Sequence, residues 1–259
     1  DPRVFGNLFH QIVEALYKPF VGQIVTRQEL ESLANNKTRI KEVMDTVFAE
    51  NIPFIREKTN VFNDLQGKNT LIYEIIHKYV VRFLKVEAEA APFKLLALEE
   101  KVSGRFNVGN GLVVNIGGTI DRTDEKDGYL RILDYKTGSA KKEIDDIAKL
   151  FSQKDHAEYK AIFQTLLYSM VKKQTDNTLP IIPGVITVKT LFKENYDSNI
   201  YLKENKQKEL LTLHDVEDNY VEMLQETLIQ LFNREIDFTQ TENADSCNYC
   251  IYSANCLKS

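Results

Sequence analysis

Two neighbouring stretches decide the fold: Gly118-Thr119-Ile120-Asp121-Arg122 and Leu130-Arg131-Ile132-Leu133-Asp134-Tyr135-Lys136-Thr137-Gly138. Apolar residues alternate through residues 112–120 and Asp127-Gly128 is a favourable turn pair, so residues 112–136 are predicted to form a hairpin with a loop around 122–128. Asp134 and Lys136 are two residues apart, so their side chains leave the same face of a strand. With Asp121 at the end of the partner strand, the hairpin brings two carboxylates and one ammonium to one place.

This combination of charges predicts a metal site. Carboxylate oxygens are the ligands that Mg²⁺ and Mn²⁺ prefer, and a lysine beside the metal could orient or help to deprotonate an attacking water. In the alternative interpretation, Asp121 opens a turn and Asp134 and Lys136 form an ordinary charge pair on an edge strand. Apolar neighbours such as Ile120 and Leu133 favour the metal site, because burying unpaired charge is costly.

Outside the hairpin, the hydrophobic spacing predicts helices on both sides of a group of strands. The prediction is helix through most of 1–92, strands at 95–108 and 181–191, and amphipathic helices at 155–173 and 215–233. Together these elements predict one α/β domain over 1–259 with a mixed central sheet flanked by helices. Its expected parts are a helical portion (1–92), a catalytic αβ core (93–191), a C-terminal helical portion (192–246) and a cysteine-bearing tail (247–256).

Composition places the chain among globular proteins that are not fibrous, disordered or membrane-spanning. Of 259 residues, 43% are hydrophobic and 27% are charged, and no apolar run approaches the ~18 residues of a membrane span. The formal charge of -5 argues against a general polyanion-binding surface, yet it leaves room for a local basic groove. Because the chain begins Asp1-Pro2-Arg3 without a signal-peptide pattern, we expect a cytoplasmic fragment of a longer protein.

Three further motifs lie outside the hairpin. Gly6-Asn7-Leu8-Phe9-His10 is on a predicted helix, and Gln164 and Tyr168 share one face of another because they are one turn apart. Cys247-x2-Cys250-x5-Cys256 contains all three cysteines of the chain, and such an odd, tight cluster indicates metal binding rather than a disulfide framework. Taken singly, His10 could be a packed or surface histidine, and the Gln164–Tyr168 pair could be a polar helix edge.

Taken in order, these motifs resemble the PD-(D/E)XK nuclease superfamily. Asp121, the hairpin and Asp134-Tyr135-Lys136-Thr137-Gly138 are similar to its RecB-like branch, in which the Gly-x-x-x-His and Gln-x-x-x-Tyr motifs occupy the same order. The cysteines resemble those that bind a four-iron cluster in AddB-type nuclease domains. This resemblance covers essentially the whole chain and implies a restriction-endonuclease-like core.

The resemblance also implies a role for each residue. His10, Asp121, Asp134 and the carbonyl of Tyr135 would bind Mg²⁺ or Mn²⁺, and Lys136 would position the attacking water. Gln164 and Tyr168 would contact the nucleic acid or brace Lys136. Glu99 and Glu100 are candidate supporting acids, although we expect at least one of them to be only a solvent-facing strand charge. An iron-sulfur cluster needs four thiolates, so Cys247, Cys250 and Cys256 would form an incomplete site here, completed in the parent protein.

The function implied is a metal-dependent DNA exonuclease, acting as the nuclease module of a double-strand-break-repair helicase-nuclease. Its partners would be DNA, as a single strand or duplex end, and a helicase subunit or a helicase-like N-terminal region of the same chain. Two alternatives stay open: a stand-alone exonuclease similar to the CRISPR adaptation nucleases, and a catalytically silent DNA-binding or scaffold module. A structural protein with accidental motif matches would bind no metal.

Overall fold

The computed structural model describes residues 2–52, 61, 65, 67–109, 111–152, 155–204, 207–237, 239, 241, 247 and 250–256. Its larger elements, in chain order, are α1 (Pro2–Tyr17), β1 (Ile24–Val25), α2 (Arg27–Asn35), α3 (Lys37–Asn51), α4 (Lys68–Ala90), β2 (Phe93–Gly109), β3 (Leu112–Lys126), β4 (Tyr129–Lys136), β5 (Glu143–Ile144), α5 (His156–Lys173), β6 (Ile181–Thr187), β7 (Tyr201–Glu204), β8 (Gln207–Leu210) and α6 (Leu213–Phe232). Among the described residues, each helix is too short or too polar to span a membrane.

The described part of the N-terminal portion is mainly helical, as predicted, with a short strand as the exception. In α1 the apolar residues recur at helical spacing and are buried, for example Leu8, Ile12 and Leu16. A capping box between Thr26 and Glu29 begins α2. The exception is β1, whose two residues pair with the start of β2 and form an edge of the sheet.

The central sheet is mixed and has the order β1-β2-β3-β4-β6. Its first four strands are antiparallel neighbours, whereas β6 lies parallel to β4. One apolar core packs α1–α4 on the sheet, and a second packs α5 and α6 on it. The prediction of a mixed sheet flanked by helices is therefore confirmed, and β2, α5 and α6 agree with their predicted ranges within two residues.

The predicted loop around 122–128 is wrong. β3 continues to Lys126, and only Asp127-Gly128 turns the chain, with φ values of 51° and 80° at its two central residues. Positive φ at both positions is the signature of the tight turn that joins twisted strands. Asp121 consequently lies inside β3 and not at its end.

The charged residues that suggested a loop are instead buried as ion pairs. We call Glu87, Arg122, Asp124 and Arg131 the buried ion cluster. Arg122 contacts Glu87 and lies 2.5 Å from Asp124 (Nη2 to Oδ2), and Nε of Arg131 lies 2.5 Å from Oδ1 of Asp124. Two carboxylates and two guanidiniums therefore neutralise one another where α4 meets β3 and β4. Because the charges are paired, this polar segment can be buried as part of β3.

Two other predicted ranges need correction. The strand predicted for 181–191 ends at Thr187, and a 3-10 turn follows at Val188–Thr190. The portion 192–246, predicted to be helical, also contains β7 and β8, which join β5 in a second sheet of order β5-β7-β8. These strands have four residues each and are mostly polar, so they give no clear hydrophobic alternation. The tail motif lies partly outside the described residues, although all three cysteines are among them.

Candidate metal centre and active site

The candidate site lies where the pairing of β3 with β4 ends. The last pair in the ladder is Arg122 with Leu133, one residue before Asp121 and Asp134. Beyond this pair, the side chain of Asp121 replaces the backbone of β3 as a hydrogen-bond acceptor. Its Oδ2 accepts a hydrogen bond of 2.6 Å from the backbone N–H of Tyr135. The carboxylate of Asp121 is thereby fixed in the gap between the two strands.

His10 approaches this gap from α1. Its Nε2 lies 3.0 Å from the carbonyl oxygen of Tyr135, and its Nδ1 lies 3.6 Å from Oδ1 of Asp121 and 3.8 Å from Oε1 of Glu99. One ligand atom each of His10, Glu99 and Asp121 lies within 4.8 Å of the others. We call these three residues the acidic cluster.

Gly6 allows α1 to pack closely against the loop that follows β4. A Cβ atom at Gly6 would lie 3.3 Å from Oγ1 of Thr137, in the loop that follows β4. A glycine inside a helix costs about 1 kcal/mol relative to alanine, and here it permits close packing one turn before His10. The Gly-x-x-x-His spacing thus places the smallest residue at the close contact with Thr137, one turn before the imidazole.

Glu99 joins the cluster through an unusual backbone conformation. It lies between the pairs Leu98–Arg122 and Glu100–Ile120, and its φ is 46°. A left-handed conformation is unfavourable for a residue with a Cβ and is typical of functional sites. Glu100 does not join, because its carboxylate lies 2.6 Å from Nζ of Lys172 on α5. Of the two candidate supporting acids, only Glu99 faces His10.

Lys136 belongs to a second group of residues, two of which come from α5. Its Nζ donates hydrogen bonds of 2.9 Å to Oδ1 of Asp134 and to Oε1 of Gln164. Gln164 in turn donates from Nε2 to the hydroxyl of Tyr168, also over 2.9 Å. The ring of Tyr168 lies against Gly118 of β3, where a Cβ would come within 2.6 Å of it. We call Asp134, Lys136, Gln164 and Tyr168 the lysine network.

Uncompensated negative charge connects the two groups. Burial raises the pKa of Asp121 to about 7, and the charges of Asp134 and Glu99 act in the same direction. Burial also raises the pKa of Asp134 above its ordinary value. Burial lowers the pKa of His10, but Glu99 and Asp121 outweigh this effect and raise it above its ordinary value. Each group therefore tends to hold a proton unless another cation is near.

Comparison with known proteins agrees with this geometry. The family model described as the PD-(D/E)XK nuclease superfamily matches residues 1–257. The chain belongs to this superfamily. No curated protein and no solved structure matches it. The prediction of a restriction-endonuclease-like fold is confirmed, and since PD-(D/E)XK proteins are in general metal-dependent nucleases, membership indicates nuclease activity.

The donor atoms present fit a divalent metal ion. An imidazole nitrogen, the carboxylates of Glu99 and Asp121 and the carbonyl of Tyr135 are ligands that suit Mg²⁺ or Mn²⁺. Oδ2 of Asp134 is buried and accepts no hydrogen bond from the described residues, although Nζ of Lys136 is only 2.8 Å away. A divalent cation would compensate the charge that raises the pKa values of these acids.

The structure thus divides the sequence-predicted residues into two adjoining groups and a separate tail. His10, Asp121 and the carbonyl of Tyr135 lie together, and Asp134 belongs to the lysine network. Cys247 is half-buried, and the other two cysteines, Cys250 and Cys256, are exposed; none of the three forms a disulfide in the described part of the chain. Sequence reasoning undervalued Glu99, whose signal was an acidic pair interrupting the apolar pattern of β2.

Proposed function

We propose that this protein is a divalent-metal-dependent deoxyribonuclease, an exonuclease that hydrolyses phosphodiester bonds. The observation that carries the proposal is the position of Nζ of Lys136, which Asp134 and Gln164 hold, while the charge of the same Asp134 acts on the buried carboxylate of Asp121. A phosphodiester reaction needs a bound metal and a positioned water, and these residues supply the ligands and the positioning cation. We further propose that residues 1–259 act as one domain, because α1, the hairpin and α5 each contribute to this site.

The residues of the chain divide the chemical work. Mg²⁺ or Mn²⁺, when bound, would polarise the scissile phosphate and lower the pKa of water. His10, Asp121 and Asp134, with Glu99 and the carbonyl of Tyr135, would hold the ion. If Nε2 of His10 donates to that carbonyl, the lone pair of Nδ1 faces the carboxylates, which is the tautomer that a metal ligand needs.

Lys136 would position the attacking water or a phosphate oxygen. An ammonium group has three N–H donors, and two of them point to Asp134 and Gln164. The third is available to the substrate, and the side chain is 30% exposed. Gln164 and Tyr168 would brace the ammonium group, the second of the two roles that the sequence suggested for them.

The biological setting is also part of the proposal. The RecB-like motifs support a nuclease module of a DNA double-strand-break-repair helicase-nuclease, with DNA as substrate and a helicase subunit or helicase-like region as partner. The same resemblance supports an iron-sulfur cluster of the AddB type. Cys247, Cys250 and Cys256 supply three of the four thiolates it needs, so the fourth would come from outside these 259 residues.

The test is hydrolysis of labelled single-stranded and double-stranded DNA by the purified chain with Mg²⁺ or Mn²⁺. Asp134→Ala and Lys136→Ala should both abolish cleavage, whereas Asp218→Ala, at an exposed position on α6, should leave it unchanged. Circular dichroism establishes that all variants fold equally. Equal cleavage by all four proteins would contradict the proposal. No cleavage together with no Mn²⁺ binding in calorimetry would favour a silent DNA-binding module.

A further inference from the structure

The hairpin of β2 and β3 extends well beyond the acidic cluster and has one uncovered face. Side chains alternate along each strand, so Asp121, Thr119, Gly117 and Asn115 leave β3 on one side. The residues opposite them on β2 follow from the register, since Lys101 pairs with Thr119, Ser103 with Gly117 and Arg105 with Asn115. At the far end of the ribbon Asn107 pairs with Val113. We call Lys101, Ser103, Arg105, Asn107, Val113, Asn115, Gly117 and Thr119 the outer ribbon face.

The two sides of this ribbon have different environments. The opposite face packs on the core formed with α5 and α6, through Val102, Phe106 and Ile116. On the outer ribbon face every residue is exposed except Thr119, which is half-buried. Polar side chains are usual on the solvent-facing side of an antiparallel sheet, so it is the sign of the charges on this face that indicates what it contacts.

The composition suits a polyanion. The outer ribbon face contains Lys101 and Arg105 and no acidic residue, in a chain whose formal charge is -5. Ser103, Asn107, Asn115 and Thr119 add neutral groups that can donate hydrogen bonds to phosphate oxygens, and the exposed Val113 adds an apolar side chain at the far end. It also contains no aromatic residue on which bases could stack. The chemistry therefore matches a sugar-phosphate backbone better than exposed bases.

The face is continuous with the candidate metal centre. Asp121 is the next residue on the same side of β3 after Thr119, and its carboxylate lies close to that of Glu99 from β2 in the acidic cluster. The seven residues from Asn115 to Asp121 are separated by six rises of a β-strand and so span about 20 Å. Several phosphates of one DNA strand can lie along that length. Because Gly117 has no side chain, it leaves space above the middle of the ribbon.

We propose that the outer ribbon face binds the backbone of the single DNA strand whose scissile phosphate lies at the acidic cluster. This inference rests on the proposed nuclease function and adds the path of the substrate. It predicts binding with little sequence preference and a strong dependence on salt, because the contacts are to phosphates. Lys101 and Arg105 are substrate-binding residues at a distance from the reacting atoms.

The experiment compares two double variants that each remove two exposed positive charges. Lys101→Gln/Arg105→Gln alters the outer ribbon face, and Lys37→Gln/Arg39→Gln alters the exposed start of α3 as the control. Binding of a fluorescein-labelled oligothymidylate is followed by anisotropy in EDTA over a range of NaCl concentrations. We expect the ribbon variant to raise Kd about tenfold and to lower the slope of log K against log salt by about one, while the control does neither.

A second readout separates this inference from the nuclease proposal. Thymidine 5′-p-nitrophenyl phosphate is small enough to reach only the metal centre, so both double variants should hydrolyse it as the unaltered chain does. For long DNA, the ribbon variant should raise KM with kcat nearly unchanged.

Each remaining outcome has a defined meaning. Equal Kd and equal salt slope in the two double variants would overturn the ribbon path, even if DNA is cleaved. A loss of affinity for duplex DNA alone would overturn the assignment to a single strand. Loss of oligothymidylate binding in the ribbon variant only, in a protein that hydrolyses neither substrate, would support the path and contradict the nuclease proposal.

Discussion

Two charged clusters lie side by side on β3, and they differ in how their charge is balanced. Arg122 and Asp124 belong to the buried ion cluster, in which two guanidiniums face two carboxylates. Asp121, their neighbour in sequence, belongs to the acidic cluster, where Glu99 and His10 are its close companions. The opposite charges of the first cluster balance one another, although Nη2 of Arg122 makes no hydrogen bond to the described residues, whereas the second cluster has an excess of carboxylates.

The pKa values express the same difference. Burial lowers the pKa of Arg122, but Asp124 and Glu87 outweigh it and raise that pKa well above its ordinary value, so the guanidinium stays charged. Burial raises the pKa of Asp121 to about 7, so this acid is poised to exchange a proton for another cation near neutral pH. Buried charge alone is thus a weak sign of function, and buried charge without internal compensation is a stronger one.

The largest effect should come from removing the charge of Asp121. Asp121→Asn keeps the shape of the side chain and the hydrogen bond from Tyr135, but it removes a ligand from the acidic cluster. We expect DNA cleavage to fall by about a thousandfold or more, with loss of measurable Mn²⁺ binding. Cleavage rates and calorimetry with Mn²⁺ measure the two losses.

The matched control is Asp127→Asn, the same chemical change in the exposed turn of the same hairpin. Asparagine tolerates the positive φ of that position, so cleavage and stability should both be unchanged. If Asp121→Asn cleaves DNA as fast as this control, Asp121 has no part in the reaction.

In the buried ion cluster the same substitution should act on stability. Asp124→Asn removes the carboxylate that both Arg122 and Arg131 contact and leaves their charges buried without it. We expect the free energy of unfolding to fall by about 3 to 5 kcal/mol, the usual cost of breaking a buried ion pair. Urea unfolding followed by circular dichroism measures it, with Asp127→Asn as reference. A loss below about 1 kcal/mol would show that water or rearrangement compensates the arginines.

The contrast also shows what the sequence could and could not predict. The strand that carries Asp134 and Lys136 and the helix that carries Gln164 follow from short-range spacing, and these predicted elements agree with the structure. The sequence did not predict where β3 ends, because Arg122 and Asp124 are charged residues typical of a loop. Only the folded chain brings Glu87, from a distant helix, into contact with Arg122. Their partners are a tertiary property that local periodicity does not contain.

The place of Glu99 in the acidic cluster could not be predicted from the sequence for a related reason. The two-residue alternation of a strand places Glu99 and Glu100 on opposite faces, but it does not indicate which face carries the metal site. The left-handed backbone at Glu99 and the approach of His10 decide it. Both depend on the packing of α1 against the loop after β4, which involves Gly6 and Thr137.

A smaller effect should therefore distinguish these two acids. Glu99→Gln should weaken Mn²⁺ binding about 10- to 100-fold, the range found when a residue supporting a metal site is altered. Glu100→Gln should leave Mn²⁺ affinity unchanged, because Glu100 pairs with Lys172 on the other side of the sheet. Calorimetry on the metal-free proteins gives both values. Equal affinities in the two variants would exclude Glu99 from the metal centre.

The smallest effect concerns pH and the metal-free chain. The pKa of Asp121 is raised to about 7 in the folded state from an ordinary value of 3.8, so the folded chain holds a proton that the unfolded chain has released. The resulting stability is fully present below pH 3.8 and is lost as the pH rises towards and through 7. The raised pKa of His10 acts in the same direction.

We expect the free energy of unfolding in EDTA, measured against Asp121→Asn at each pH, to fall by about 1 to 2 kcal/mol between weakly acidic and weakly alkaline buffer. Taking the difference from the variant cancels the other carboxylates, which ionise in both proteins. Mn²⁺ should reverse the trend, because binding requires the same proton to leave and its affinity therefore rises with pH. In the buried ion cluster no such reversal can arise, since its carboxylates already face guanidiniums that stay charged. Parallel pH curves for the unaltered chain and Asp121→Asn would mean that the acidic cluster is also balanced from within.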